Sequence, residues 1–309
     1  MKEPIYIIGA GAIGKALAVF LKLQHKNPIL IRGSVDDHSS YTQTIEVELA
    51  DNTILAAEIP TCTASHYDRL DGLIVFTNKS YGNRQLAERL KSKTGDSPIV
   101  IMQNGLNVEQ PFIENGYPNI YRCVLFTSSQ AAGPGNIKFK PAKPSRIGTI
   151  KGRIDQLTCI VDQLNNDQLQ FEAETDIQPV IWTKAIANSV FNSICPLLET
   201  DNGIFHRNED ALAIARRIIK EGISVAGSTG VPLQYEKVLD TILHISKTSD
   251  GQLISTYQDI LNKRRTEIDT LNCAIGDIAI TNNINHSAKE TILLGELTKL
   301  KSIITMQSC

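Results

Sequence analysis

Ile5-Tyr6-Ile7-Ile8-Gly9-Ala10-Gly11-Ala12-Ile13-Gly14 sets four apolar residues directly before a G-x-G-x-x-G turn, and an amphipathic stretch follows to about Leu23. Strand, glycine turn and helix in that order are the context that distinguishes a dinucleotide-binding fingerprint from a chance trio of glycines. Gly9 would make the tight turn, Gly11 would let the backbone approach a pyrophosphate, and Gly14 would let the helix lie close to its strand. The start of the helix, with Ala10, Ala12 and Ile13 in the same loop, would then present N–H groups to phosphate. An ordinary tight strand-to-helix turn could use the same glycines without a ligand.

A second strand, residues 28–31, ends at Arg32. An acidic residue in that place binds the ribose 2′-hydroxyl of NAD, whereas an arginine accommodates the 2′-phosphate of NADP. The expected cofactor is therefore NADPH. Asp36 and Asp37 follow closely and would take the hydroxyl if the loop is short, and Arg32 could also be a solvated charge at a strand end.

Strand-like runs recur at 44–49, 53–59, 73–77, 99–103, 120–126 and 136–140, with helical patterns at 83–91 and 153–164. Such alternation predicts a mostly parallel, doubly wound α/β sheet of Rossmann type, with Asp51-Asn52 turning a local antiparallel hairpin. From Thr175 the pattern becomes helical, at 177–194, 209–227, 236–246, 256–282 and 287–301. We expect a dinucleotide-binding domain over 1–174 and an all-α domain over 175–309. A ligand cleft is expected between them, at the carboxyl ends of the strands.

The chain has 309 residues and a formal net charge of −2. Near-balanced charge without a basic block recommends neither a nucleic-acid partner nor a membrane surface. Its six cysteines lack CxxC or metal-ligand spacing, which suits a reducing, cytoplasmic compartment and no metal. The first strand starts too close to Met1 for a cleavable signal, and no uncharged apolar run approaches membrane-spanning length.

Polar residues stand at two strand ends in the first half, Asn78-Lys79 and Asn104-Gly105. Those are ligand positions in an open α/β sheet, although Asn-Gly is also a common turn and a lysine after a strand is often solvated. In the second half, Lys184, Asn188 and Asn192 recur every fourth residue and stack on one helix face among apolar neighbours. Polar groups facing an interior need partners there, and an ammonium with two carboxamides suits a small oxygen-rich molecule. Ser255-Thr-Tyr-Gln258 has the form of a capping box opening a long helix, with Ser255 as a cap, a carboxylate contact or both. Glu267, twelve positions later, would be about 120° out of phase with Ser255 on a continuous helix, so periodicity does not place the two in one pocket.

Together these segments resemble the ketopantoate reductase family over nearly the whole length, from GAGAIG to STYQDILNKRRTEIDTLN. Specificity lies in Lys184 with its two asparagines, Asn202-Gly203 after them, and the S-x-x-QD-I…TEID-x-x-N segment. The resemblance implies NADPH-dependent reduction of 2-dehydropantoate (ketopantoate) to pantoate on the route to pantothenate. It implies Lys184 as proton donor, Asn188, Asn192, Asn202 and Ser255 as substrate contacts, and Glu267 completing the site. It also implies Asn104 between cofactor and substrate, with Lys79 and Ala132 near the cofactor. Near Gln252 some members carry an asparagine that touches substrate, and this chain departs from them there. Two rivals are a reductase of another 2-oxo acid and a non-enzymatic NADPH-binding sensor; retention of Lys184, the asparagines and Glu267 argues against the sensor. Monomer and homodimer both remain open.

Overall fold

Residues 3–133 and 135–307 are described by a computed structural model. The first part of the chain runs β1 (Pro4–Ile8), α1 (Ala12–Leu23), β2 (Asn27–Arg32), β3 (Ser40–Leu49), β4 (Ile54–Thr63), β5 (Leu73–Phe76), α2 (Asn83–Thr94), β6 (Ile99–Ile101) and α3 (Gln110–Glu114). It continues through β7 (Ile120–Val124), β8 (Thr127–Gly133), β9 (Asn136–Pro141), β10 (Ser145–Lys151), α4 (Leu157–Leu164) and β11 (Phe171–Ala173).

Alternation within β1 shows why the sheet must be covered on both faces. Ile5 and Ile7 join one apolar cluster with Leu30, Val75, Val100 and Leu17. Tyr6 and Ile8 join the opposite one with Ile31, Phe76, Ile101 and Leu86. Successive side chains point to opposite faces, so a run of apolar residues means a strand buried on both sides. The sheet order is β11-β10-β7-β6-β5-β1-β2-β4-β3-β9-β8. Its centre is parallel, with Ile8 level with Ile31 on one side and Phe76 on the other.

The sheet is more mixed than expected. β3–β4, β7–β10 and β8–β9 pair antiparallel. The Asp51-Asn52 hairpin forms with Asn52 at φ 65° and the Asp51 carboxylate accepting the Thr53 N–H at 3.0 Å. The β8–β9 hairpin follows from its short connection, which only antiparallel strands can use. β10 carried little sequence signal, because polar residues and Gly148 interrupt its apolar pattern.

By its internal contacts the chain forms two units, Met1–Gln103 with Val108–Ile177, and Asn104–Asn107 with Gln178–Cys309. The second is helical: α5 (Gln178–Leu198), α6 (Ile204–Arg207), α7 (Glu209–Ser228), α8 (Tyr235–Thr248), α9 (Ser255–Leu261), α10 (Asn272–Thr281) and α11 (Lys289–Gln307). Helix α5 is the hub, packing against α7, α8, α9 and α11, and this explains why it is apolar around most of its girth.

The single helix expected over 256–282 does not form. Helix α9 stops at Leu261, Lys263 takes the left-handed conformation at φ 52°, and the Lys263 and Arg264 N–H groups bond back to the Ile260 and Asp259 carbonyls at 3.0 and 2.8 Å. That is a Schellman stop made without glycine. A 3-10 turn, Ile268–Thr270, intervenes before α10. Among the described residues no helix is long and apolar enough to cross a membrane.

Candidate active site

The glycine loop behaves as its spacing requires. Gly9 has φ +122°, and a Cβ there would lie 2.5 Å from the Asn78 nitrogen. At Gly14 a Cβ would overlap the Gly9 carbonyl oxygen and press on the Thr77 hydroxyl, so α1 and the loop touch without room for a side chain. Gly11 is different, with nothing among the described residues within 4 Å of a Cβ. It is the N-cap of α1, and among the described residues no side chain caps the helix. The first-turn N–H groups of α1, from Ala12, Ile13 and Gly14, are those a helix start leaves without an intrahelical carbonyl partner. The arrangement fits a diphosphate. Ala10 completes the loop.

Two β-strand ends brace this cradle. The Thr77 and Asn78 N–H groups donate to the Ile8 carbonyl at 2.8 and 3.1 Å, and the Thr77 hydroxyl donates to the Gly9 carbonyl at 2.9 Å. Lys79 follows, half-buried. Behind it lies a buried polar network. Gln103 donates to the Asn78 carbonyl at 2.8 Å, and the Asn83 amide donates to Gln103 Oε1 at 2.6 Å and to the Val108 carbonyl at 2.7 Å. The Arg122 guanidinium, 2% exposed, pairs with Glu109 at 2.8 Å and donates to the Gln103 carbonyl at 3.3 Å. Thr77, Asn83, Gln103 and Arg122 were not singled out from sequence. The available signal was Arg122, a cation inside the apolar strand Ile120–Val124.

Arg32 is not a solvated charge. Its Nη2 lies 2.5 Å from Asp37 Oδ1 and donates to the Ser39 hydroxyl, while its Nε is buried without a hydrogen-bond partner among the described residues. The Ser39 hydroxyl, then Arg32, hold the Asp37 carboxyl well below the usual carboxylate range. Asp36 accepts from the Ser65 N–H at 3.2 Å and faces Arg89 at 3.8 Å. Both carboxylates are thus committed to the loop. Ala132 is exposed on the edge strand β8, at an irregularity in its pairing with β9, and β8 packs along α1.

In the helical unit, Lys184 and Asn188 are half-buried and Asn192 is buried, so the polar stripe of α5 sinks inward along the helix. Asn192 Oδ1 accepts from the Ser255 hydroxyl and from the Thr256 N–H, each at 3.2 Å, and its amide donates to the Asn188 carbonyl at 3.0 Å. The expected capping box is therefore replaced. Asn192 caps α9 from outside, Ser255 is the first residue of the helix, and Gln258 reaches back to the Leu253 carbonyl at 2.6 Å.

Asn202 is buried, and its Oδ1 has no hydrogen-bond partner among the described residues. Its backbone is fixed at both ends, N–H to the Gln252 carbonyl at 2.9 Å and carbonyl from the Ser246 hydroxyl at 2.7 Å. The Gln252 side chain is exposed. Glu267 is half-buried before the 3-10 turn, and its carbonyl accepts from the Thr270 N–H at 3.0 Å. Thr270 in turn accepts from the Leu106 N–H at 2.8 Å. Gly105, at φ +101°, could hold no Cβ there, since one would lie 2.4 Å from the Thr270 carbonyl oxygen. The segment with Asn104 and the turn after Glu267 are joined by these contacts, and helical phase is irrelevant to Glu267 because the helix is broken before it.

A loop shaped for a diphosphate and a helical unit carrying a lysine with buried amides are also what comparison with known proteins finds. The ketopantoate reductase PanE/ApbA family model matches residues 5–152 and its C-terminal model residues 176–294. A 2-dehydropantoate 2-reductase of Pyrococcus abyssi is 28% identical, aligned over 97% of this chain and 98% of its own. Among solved structures, a PanE/ApbA family ketopantoate reductase from Ralstonia eutropha JMP134 superposes with TM-score 0.85 at 21% identity, covering 98% of this chain and 100% of its own. D-mandelate dehydrogenase, solved with NADH and anilino(oxo)acetate, gives 0.84 at 22% identity, covering 98% and 99%. The chain is an oxidoreductase with an NADP-binding Rossmann fold, and with both family models matched in order along it, it belongs to the ketopantoate reductase family.

Proposed function

We propose that this chain reduces 2-dehydropantoate to (R)-pantoate with NADPH, in pantothenate biosynthesis. The amino-terminal domain, 1–174, holds the cofactor through Gly9, Ala10, Gly11, Ala12, Ile13, Gly14, Arg32, Lys79, Asn104 and Ala132. The helical domain, 175–309, supplies the substrate contacts and the acid. When bound, the nicotinamide supplies the hydride for the 2-oxo carbon. The chain's own part is to place the substrate and deliver a proton. Lys184 stabilises negative charge growing on the carbonyl oxygen and then protonates it. Asn188, Asn192, Asn202 and Ser255 bind the substrate with Asn104, and Glu267 orients Lys184 or takes the substrate hydroxyl.

The observation that carries the specific substrate is Asn202 Oδ1, a buried acceptor with no partner among the described residues. Such a group costs about 1–3 kcal/mol until a donor reaches it. Ketopantoate brings a hydroxyl donor, and 2-oxoisovalerate and pyruvate do not. Following NADPH oxidation with the three acids tests this, with ketopantoate expected to exceed the others in kcat/KM by at least about a hundredfold. Equal rates with 2-oxoisovalerate, or failure to relieve a pantothenate requirement in a host lacking its own reductase, would leave only a broader 2-oxo acid reductase. That second reading is favoured by Gln252, an exposed residue near which some members of the family carry a substrate-touching asparagine.

A further inference from the structure

Ser246 lies in the last turn of α8 and is completely buried. A serine or threonine inside a helix usually bonds back to a carbonyl one turn earlier. Its neighbours do so: Thr241 donates to the Lys237 carbonyl at 2.8 Å, Thr248 to that of His244 at 2.9 Å, and Ser249, just past the helix, to that of Ile245 at 2.6 Å. Ser246 instead donates to the Asn202 carbonyl at 2.7 Å, 44 residues earlier in the chain. Its oxygen accepts from the His206 N–H at 3.2 Å, and His206 Nδ1 stands 3.0 Å from it. A hydroxyl has one proton, and here Asn202 receives it, so Nδ1 is the donor in the contact with His206.

The loop around Asn202 is clamped as well. Arg207 of α6 reaches Asp201 at 2.6 Å through Nη2 and Asp250 at 2.8 Å through Nη1, tying the segment before α6 to the segment before α9. Asp201 also accepts the Gly203 N–H at 2.7 Å. A Cβ at Gly203 would overlap the Asp250 carboxylate, so the two segments touch without room for a side chain. Asn202 Oδ1, the buried acceptor without a partner among the described residues, therefore projects from a backbone fixed before, at and after it.

We infer that Ser246, seconded by the Arg207 clamp, is a positioning residue for substrate recognition and acts through Asn202. The inference rests on Asn202 as a substrate contact. A hydrogen bond of ordinary length is lost when its acceptor moves by about 1 Å, so an acceptor that waits for a donor on the substrate has to be held in advance. Back-bonding within α8 would have satisfied the Ser246 hydroxyl equally well and would have left the Asn202 carbonyl unheld.

A double-mutant cycle between Ser246→Ala and Asn202→Ala tests this, run on whichever 2-oxo acid the wild-type enzyme reduces with the highest kcat/KM. Ser246→Ala should lower kcat/KM by about tenfold and Asn202→Ala by at least as much. The double variant should be no more than about threefold worse than Asn202→Ala alone, whereas independent roles would multiply to about a hundredfold. The loss in Ser246→Ala should appear as a raised KM, because a partly unfolded preparation lowers apparent kcat and leaves KM unchanged. Arg207→Gln, at an exposed side chain, loosens the same loop without disturbing a buried group; it should raise KM by about threefold and show the same dependence on Asn202. Multiplicative losses, an effect confined to kcat, or an Asn202→Ala enzyme with wild-type kcat/KM would each overturn the inference. A wild-type enzyme that reduces 2-oxoisovalerate as well as ketopantoate would instead sink the substrate assignment, and the cycle on the better acid would still decide whether Ser246 acts through Asn202.

Discussion

Asn192 caps a helix that starts 63 residues later: its Oδ1 accepts from both the Ser255 hydroxyl and the Thr256 N–H at 3.2 Å. A residue of the α5 stripe thus fixes where α9 begins, and the two proposed substrate contacts depend on each other. Asn192→Ala should cost about 1–2 kcal/mol of stability as a lost cap as well as lowering kcat/KM. Ser255→Ala, at an exposed position, should lower kcat/KM for ketopantoate by more than about tenfold with little change in melting temperature. Thermal melts beside steady-state kinetics separate the roles, and an Asn192→Ala protein with unchanged melting would show that the cap is unimportant.

Lys184→Ala should reduce kcat by at least about a hundredfold, the low end for general acid catalysis, while the dissociation constant for NADPH changes less than about threefold. Fluorescence titration and kcat on the same preparation decide it. Near-normal turnover would move the acid elsewhere, with Lys79 next to be tried.

What the sequence disclosed and what it hid divide along physical lines. Gly9, Gly14 and the α5 stripe were legible because each obeys a local rule, a steric one for the glycines and a four-residue period for Lys184, Asn188 and Asn192. The break after Leu261 was not, because its left-handed residue is Lys263 rather than glycine and a charged helical pattern continues past it. Arg122, Gln103 and Asn83 form their network across two strand ends, the middle of a third strand and a helix start, and no spacing rule spans such separations. Asn202 was legible only through family resemblance; its unpaired oxygen is a property of burial.

The Arg122 network holds the backbone at the ends of β5 and β6 and should therefore control cofactor affinity without touching the cofactor. Arg122→Met leaves Glu109 beside a lost counter-ion, and breaking a buried pair on one side costs about 3–5 kcal/mol. The double variant Arg122→Met/Glu109→Met should recover much of that stability. If the network positions the loops, NADPH binding should stay weakened in the double variant even as melting recovers. Recovery of both together would make the pair purely structural.

Asp37 occupies Arg32 in the way a phosphate would, so cofactor selectivity should respond to both residues in opposite directions. Arg32→Ala should weaken NADPH binding by about ten- to a hundredfold, from a charge-assisted contact of roughly 1.5–3 kcal/mol, and leave NADH nearly unchanged. Asp37→Asn removes a competing anion and should tighten NADPH by a few-fold. The Asp37 carboxyl is depressed by Ser39 and then by Arg32, so its contribution to the fold is present above the unfolded value near 3.9 and is lost only as pH falls through the lower folded value. Between about pH 5 and 8 the Asp37 charge is therefore constant, so protonation of the 2′-phosphate, whose second pKa is near 6, should weaken NADPH binding toward acid equally whether or not Asp37 is present. Wild type and Asp37→Asn should then give parallel plots of NADPH affinity against pH, displaced vertically. Plots that converge toward acid would show Asp37 titrating in that window, and a wild-type preference for NADH would remove Arg32 from the phosphate site altogether.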